Sequence, residues 1–157
     1  MRFEAFESRH LAEVVRLCMS EYWMSYADPA IALRAFTAPG SVVVVAVEDR
    51  GTVVGFVQLQ SDGLVHAHVS NILVAASHRR RRIGRRLIEY AFARSGAQYL
   101  DLVSTEGMDG FYRCFDHEEF RGFRLYPGRM KTSGEEERLG APTGEPALAR
   151  DGAARRR

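Results

Sequence analysis

The chain has 157 residues, 46% apolar and 27% charged, with a formal net charge of +2. That composition describes one globular domain able to bury a core, and excludes a disordered or fibrous chain. No run of about 18 apolar residues is present, so no membrane span is expected. Two cysteines, Cys18 and Cys114, are too few for a disulfide scaffold and fit a reducing cytoplasm. The opening "MRFEAFESRH" carries acids and no apolar run, unlike a signal peptide.

In chain order, "SRHLAEVVRLCMSEYW" sets Leu11, Val14, Val15, Cys18, Met19 and Tyr22 at helical spacing, with Ser8 as N-cap. "YWMSYADP" is a linker, and "AIALRAF" is a short helix closed by Pro39-Gly40. "SVVVVAV" is a β-branched run expected of a strand buried on both faces. "TVVGFVQLQ" and "LVHAHVSNILV" are two further strands, and tight turns between the three predict an antiparallel meander. By alternation His66, His68 and Ser70 share one face of the third strand.

After Val74 the period becomes helical, with Ile83, Leu87, Ile88, Ala91 and Phe92 on one stripe, ended by Ser95-Gly96. "AQYLDLVST" is a strand again, which makes a βαβ unit with Leu100–Val103 parallel to Val69–Val74. "MDGFYRCFDHEEF" predicts a short helix and "RGFRLYP" a last strand-like piece. The fold class is therefore mixed α+β, a mostly antiparallel sheet flanked by helices with a β-α-β core. Residues 1–130 form the domain. Residues 131–157, rich in Gly, Pro, Ala and charge, are expected to be a disordered tail.

Six of the eight residues from Arg79 to Arg86 are arginine, in a chain that is otherwise nearly neutral. Placed on the first turn of a helix, each cation opposes the helix dipole by about 0.3–1 kcal/mol. Such a cluster either lies solvated or waits for an anion, and its place after a strand of a βαβ unit favours a phosphate-bearing ligand. Gly84 stands where a Cβ would obstruct a ligand approaching that turn.

"NILVAASHRRRRIGRRLIEYAF" resembles the acetyl-CoA-binding motif of the GNAT superfamily of N-acetyltransferases. Val74 matches the motif's valine, Arg79 its Arg/Gln, Ile83 the apolar residue before the last glycine, Gly84 that glycine and Leu87 the core leucine. "GFYRCF" resembles the family's aromatic-tyrosine landmark. The sequence departs from the pattern at Ala76, where proline is usual, at Arg82, where the first glycine is usual, and at Asp116-His117, where "GF" is usual.

The resemblance implies two parallel strands that splay around acetyl-CoA. Main-chain groups of Ile72, Leu73 and Val74 would meet the acetyl and pantetheine, with one N–H as oxyanion donor. Arg79, Arg80, Arg81, Arg82, Ile83, Gly84 and Arg85 would wrap the diphosphate, and Thr105 would face the cofactor arm. Tyr112 would be the acid that protonates the leaving thiolate. His68 stands where many relatives carry a glutamate base, and imidazole suits proton removal at neutral pH.

His66, Glu106 and Asp109 are other candidates for the base, and His66, also a candidate for binding the acceptor, could hold a water chain with His68. Trp23, Met24 and Tyr26 fall where relatives line the acceptor pocket. Cys114 reads as a small apolar filler.

The implied activity is acetyl transfer to a primary amine of a small molecule or peptide by direct attack in a ternary complex. No metal, nucleic acid or membrane is called for, and a homodimer is compatible with the resemblance. The competing classes are a non-catalytic acyl-CoA-binding or regulatory domain and an arginine-helix RNA binder. The break at Ile83-Gly84 and the lack of interleaved aromatics speak against the latter.

Overall fold

In the computed structural model, residues 1–125 are described. Met1–Gly122 form one compact unit, and Phe123–Leu125, which belong to a second, carry no helix or strand. The tail expected over 131–157 lies outside the described residues.

Among the described residues, five strands form one sheet in the order β1-β2-β3-β4-β5. β1 (Arg2–Ala5), β2 (Ser41–Val47), β3 (Val53–Ser61) and β4 (His66–Val74) pair antiparallel in succession. β5 (Tyr99–Asp101) runs parallel to β4, and α3 (Ile83–Ser95) provides the crossover. α1 (Leu11–Ser20) and α2 (Pro29–Phe36) cover the other face, and α4 (Asp109–Tyr112) follows β5. No helix among the described residues is long and apolar enough to cross a membrane.

Why these elements form follows from local chemistry. Asp28 caps α2 by accepting N–H bonds from Ala30 (2.7 Å) and Ile31 (3.1 Å), and Pro29 sits at the first turn, where no N–H partner is lost. Gly96 closes α3 with a φ of 72°, and a Cβ there would lie 2.5 Å from the Gly63 carbonyl oxygen.

The β2 valines alternate between two cores. Val44 and Ala46 pack under α3 with Val57, Leu59, Leu87 and Ala91, while Val43, Val45 and Val47 pack under α1 and α2 with Val14, Cys18 and Phe36. Burying each such side chain is worth roughly 1.5–3 kcal/mol, and that gain holds the three layers together.

The structure corrects several expectations. The meander has four strands, because β1 precedes it. α1 starts at Leu11, after a 3-10 turn over Ser8–His10 capped by Glu7. Met19 and Tyr22 are exposed rather than part of its buried stripe. Cys114 is exposed, so it fills nothing, whereas Cys18 is buried. Arg121–Leu125 form no strand; Tyr126 and Pro127 of that piece lie outside the described residues.

The parallel pairing also sits lower than expected, with His66, Ala67 and His68 opposite Tyr99, Leu100 and Asp101. From Val69 to Val74, β4 therefore has no β5 partner. Among the described residues its outer edge stands open there.

Candidate active site

β4 does not alternate cleanly. Gln58 pairs with Asn71 and Leu59 with Val69, which leaves Ser70 as an extra residue in a β-bulge. The bulge inverts the facing of everything after it. Val69 packs in the α3 core, yet so do Ile72 and Val74, whereas Leu73 packs in the α1/α2 core. The shared face of His66, His68 and Ser70 is thus broken at Ser70. His68 lies opposite in facing to Val69, and the residue that joins its side beyond the bulge is Asn71.

Sequence reasoning passed over the network built around Asn71. The Gln58 side chain is 2% exposed and has both its functions fixed. Its amide nitrogen donates to the Ala35 carbonyl (3.0 Å) and to Ser41 Oγ (3.0 Å). A carbonyl can only accept, so the amide orientation is settled. Gln58 Oε1 then accepts from Tyr26 OH (3.2 Å) and Asn71 Nδ2 (3.0 Å), and Asn71 Nδ2 also donates to Tyr26 OH (2.8 Å).

Asn71 has spent its donors, and its Oδ1 accepts no hydrogen bond among the described residues. No side-chain oxygen or nitrogen buried among them lacks a partner, so that oxygen reaches solvent. The periodicity of strands could not reveal this, because Tyr26, Ala35, Gln58 and Asn71 come from four separate segments.

The other acceptor-side candidates divide. Trp23 and Tyr26 are half-buried against the α1/α2 core, and Tyr26 packs on Phe36 at 5.3 Å between ring centroids. Met24 is exposed. His66 Nε2 lies 3.1 Å from Asp101 Oδ2, and its ring contacts Tyr99 at 5.5 Å. His68, half-buried beside Gln60 and Asp101, has no hydrogen-bond partner among the described residues.

The arginine cluster lies largely before the helix. α3 begins at Ile83 with Arg82 as its N-cap, so Arg79–Arg82 form the loop leading into it. Three of the six arginines are engaged. Arg79 pairs with Glu21, Arg85 donates to Glu89 at 2.7 Å, and Arg86 stacks on Phe3 at 4.4 Å from the ring centroid. Arg80, Arg81 and Arg82 are exposed and have no ion pair among the described residues.

Arg80 and Arg82 both adopt left-handed backbone, with φ of 66° and 61°. Such geometry turns nearby main-chain N–H groups into an anion-binding concavity, and it costs a non-glycine residue on the order of 1–2 kcal/mol. Ile83 is itself core, 3% exposed, so only its main chain faces this loop.

Gly84 is needed for a reason other than ligand approach. A Cβ there would lie 3.1 Å from Phe111 Cζ and 3.6 Å from Ile72 Cδ1. Glycine lets α4 seat on the start of α3, which brings Tyr112 to the same junction. Tyr112 packs half-buried beside Phe111, with ring centroids 5.0 Å apart, and burial pushes its phenol pKa upward. Its hydroxyl has no partner among the described residues.

Thr105 sits in the exposed loop between β5 and α4 and makes no side-chain hydrogen bond there. Asp109 accepts from Ser104 Oγ at 2.6 Å, and Glu106 is exposed. Among the described residues no group of three His, Cys, Asp or Glu could hold a metal ion.

Comparison with known proteins bears on this arrangement. A sequence model of the GNAT acetyltransferase family matches residues 9–116. A search of curated protein sequences found no match. Among solved structures, an acetyltransferase of Trypanosoma brucei is similar with a TM-score of 0.64 at 20% identity, over 80% of this chain and 98% of that one.

The aminoglycoside acetyltransferase AAC(6')-Iy, solved with a bisubstrate analogue of CoA and acetylneamine, superposes with a TM-score of 0.65 at 17% identity, over 83% and 98%. A ribosomal-protein-alanine N-acetyltransferase from Brucella melitensis biovar Abortus 2308 gives 0.64 at 18%, over 80% and 99%. At these identities the superpositions establish the fold, and the family match covers well over half the chain. The chain belongs to the GNAT family of acetyltransferases.

Proposed function

We propose that this protein is an N-acetyltransferase that moves an acetyl group from acetyl-CoA to a primary amine of a small molecule or peptide, by direct attack in a ternary complex. Membership of the family makes acetyl-CoA the co-substrate. The observation that carries the reading is a convergence at one junction. An edge of β4, three arginines in a strained loop and a half-buried tyrosine, none of them partnered among the described residues, all meet at the start of α3.

In this reading the loop from Arg79 to Arg85 receives the diphosphate on main-chain N–H groups, with Arg80 and Arg81 supplying charge. Main-chain groups of Ile72, Leu73 and Val74 hold the thioester arm, and one N–H takes the developing oxyanion. The amine nitrogen attacks the thioester carbonyl carbon and the carbon–sulfur bond breaks. The sulfur takes the phenolic proton of Tyr112, and the nitrogen loses a proton to His68. The products are an amide and the coenzyme A thiol.

Two features of the geometry sort the candidates. His66 is engaged with Asp101, whereas the His68 ring has no hydrogen-bond partner among the described residues, which favours His68 as the base. Asn71 Oδ1, fixed through Gln58 to a backbone carbonyl, is a preset hydrogen-bond acceptor for the incoming amine. Trp23 and Tyr26 then form the wall beside it, and Thr105 stays beside the cofactor arm.

The test has two readouts. Calorimetry with acetyl-CoA should show binding. Thiol release should follow when amines are supplied, here an aminoglycoside, an alanine-initiated peptide and a simple arylalkylamine. Binding without thiol release from any of them would instead indicate an acyl-CoA-binding domain.

Tyr112→Phe should lower kcat about ten-fold or more while leaving acetyl-CoA affinity unchanged, as expected for loss of an interaction made during reaction only. Because burial raises the Tyr112 pKa, the phenol keeps its proton to higher pH than a free one, which titrates near 10. The alkaline fall in wild-type kcat due to this group should therefore begin above that value. Undiminished turnover in Tyr112→Phe would take the residue out of the mechanism.

A further inference from the structure

Glu21 occupies a place that helix electrostatics disfavour. It is the C-cap of α1, where the carbonyl ends of the helix repel a carboxylate. Its side chain is nonetheless only 14% exposed, and both oxygens are engaged. Oε1 accepts the main-chain N–H of Ala76 at 2.7 Å, and Oε2 pairs with the Arg79 guanidinium. Arg79 Nε in turn donates to the Val74 carbonyl at 3.1 Å. Glu21, Ala76, Arg79 and Val74 thus close a ring between the end of α1 and both ends of the segment that leaves β4.

The Ala76 N–H matters to this ring. A proline at that position would have no hydrogen to give. Alanine there supplies the donor that Glu21 uses, so a glutamate at the end of α1 and a departure in the loop 55 residues later serve one contact.

We propose that Glu21 is a positioning residue for the coenzyme A diphosphate. It fixes the start of the loop through Ala76 and keeps the Arg79 guanidinium turned toward Val74 and away from the anion. The left-handed turns at Arg80 and Arg82 follow directly, and their N–H groups are aimed by the segment that Glu21 anchors. Arg79 acts here as a brace, and the charge offered to the ligand comes from Arg80 and Arg81. This rests on the acetyl-CoA reading above.

The experiment compares wild type, Glu21→Ala, Glu21→Gln and Ala76→Pro with two thioesters, acetyl-CoA and acetyl-pantetheine, the second of which lacks the diphosphate. Affinities come from calorimetry, and thermal melts confirm folding. Proline is compatible with the backbone at Ala76. That residue opens a 3-10 turn, and Ala75 before it has φ −48° and ψ 136°, an extended conformation that a following proline accepts.

Loss of a charge-assisted hydrogen bond predicts that Glu21→Ala binds acetyl-CoA about ten-fold more weakly. Acetyl-pantetheine binding should be unchanged. Glu21→Gln, which can still accept from Ala76, should fall between, and so should Ala76→Pro. Combining Ala76→Pro with Glu21→Ala should add nothing to Glu21→Ala alone, as for partners in one interaction.

A folded Glu21→Ala that binds acetyl-CoA within two-fold of wild type, equal loss with both thioesters, or additive effects in the double variant would each overturn the proposal. If Glu21→Ala does not fold, Glu21→Gln and Ala76→Pro decide it by the same comparison of thioesters. Absence of acetyl-CoA binding by the wild type would instead overturn the functional reading itself.

Discussion

The two ends of the candidate site are built on different physical terms. At the β4–α3 junction the proposed binding falls to main-chain groups. Their placement depends on a short contiguous stretch, an open strand edge, a left-handed loop and a glycine on which Phe111 seats. On the α1/α2 face the work is done by side chains drawn from four segments, with Gln58 oriented by Ala35 and Ser41 and then orienting Asn71 and Tyr26. The first kind of site takes its geometry from the backbone and asks only exposed charge of its side chains. The second fails when any one member is lost.

The largest expected effect tests the cofactor end. Arg80→Ala combined with Arg81→Ala removes two exposed guanidinium groups that have no protein partner among the described residues. Acetyl-CoA affinity should fall roughly thirty-fold at low salt, since each charge-assisted phosphate contact is worth on the order of 1 kcal/mol or more. Raising the salt should weaken the wild type far more than the variant. Folding stability and the response to different amines should not move. An effect on amine selectivity would mean that the two ends are not separable in the way described.

Gln58→Leu tests the other end. Leucine resembles glutamine in volume but leaves the Ala35 carbonyl, Tyr26 and Asn71 without their shared partner. A buried network broken at its centre should cost about 2–3 kcal/mol of stability, or roughly 5–10 °C in Tm for a domain of this size. With Asn71 no longer held, the KM for the amine should rise while acetyl-CoA affinity stays the same. A variant with unchanged KM would remove Asn71 Oδ1 from the acceptor site, even if the melt confirms the network as structural.

The same contrast explains how much could be read in advance. The proposed cofactor end stands out in the sequence because main-chain architecture leaves a local trace. A β-branched strand, an arginine run, Gly84 and the stripe Ile83, Leu87, Ile88 and Ala91 all fall within 25 residues of one another. The face of Asn71 was not legible, because it depends on one extra residue, Ser70, which inverts the strand's facing and has no signature in composition or periodicity.

Register was lost for a similar reason. β5 has only three paired residues, and its apolar run continues through Val103 after the pairing has ended. β1 is four residues long, too short for alternation to register. Gln58 is one polar residue within "TVVGFVQLQ", with nothing beside it in sequence to mark it as buried. Its burial is visible only once α2 is placed over it.

The smallest predicted effect addresses the residue where the loop departs from the family pattern. Arg82 caps α3 with a φ of 61°, a conformation that glycine adopts freely and arginine does not. Arg82→Gly removes that strain, and it also removes a cation from the positive end of a helix. Against this, glycine gains freedom in the unfolded chain.

The balance favours the variant by roughly 0.5–1 kcal/mol, a rise of about 1–4 °C in Tm. Arg82→Ala keeps the left-handed strain and loses the charge, so it should gain less. Acetyl-CoA affinity separates two uses of the residue. If Arg82 serves mainly through its N–H, both variants bind within about three-fold of wild type; if its guanidinium holds the diphosphate, both lose about ten-fold. The first outcome is expected, because an N-cap in this geometry offers its main chain to the loop's concave side whatever side chain it carries.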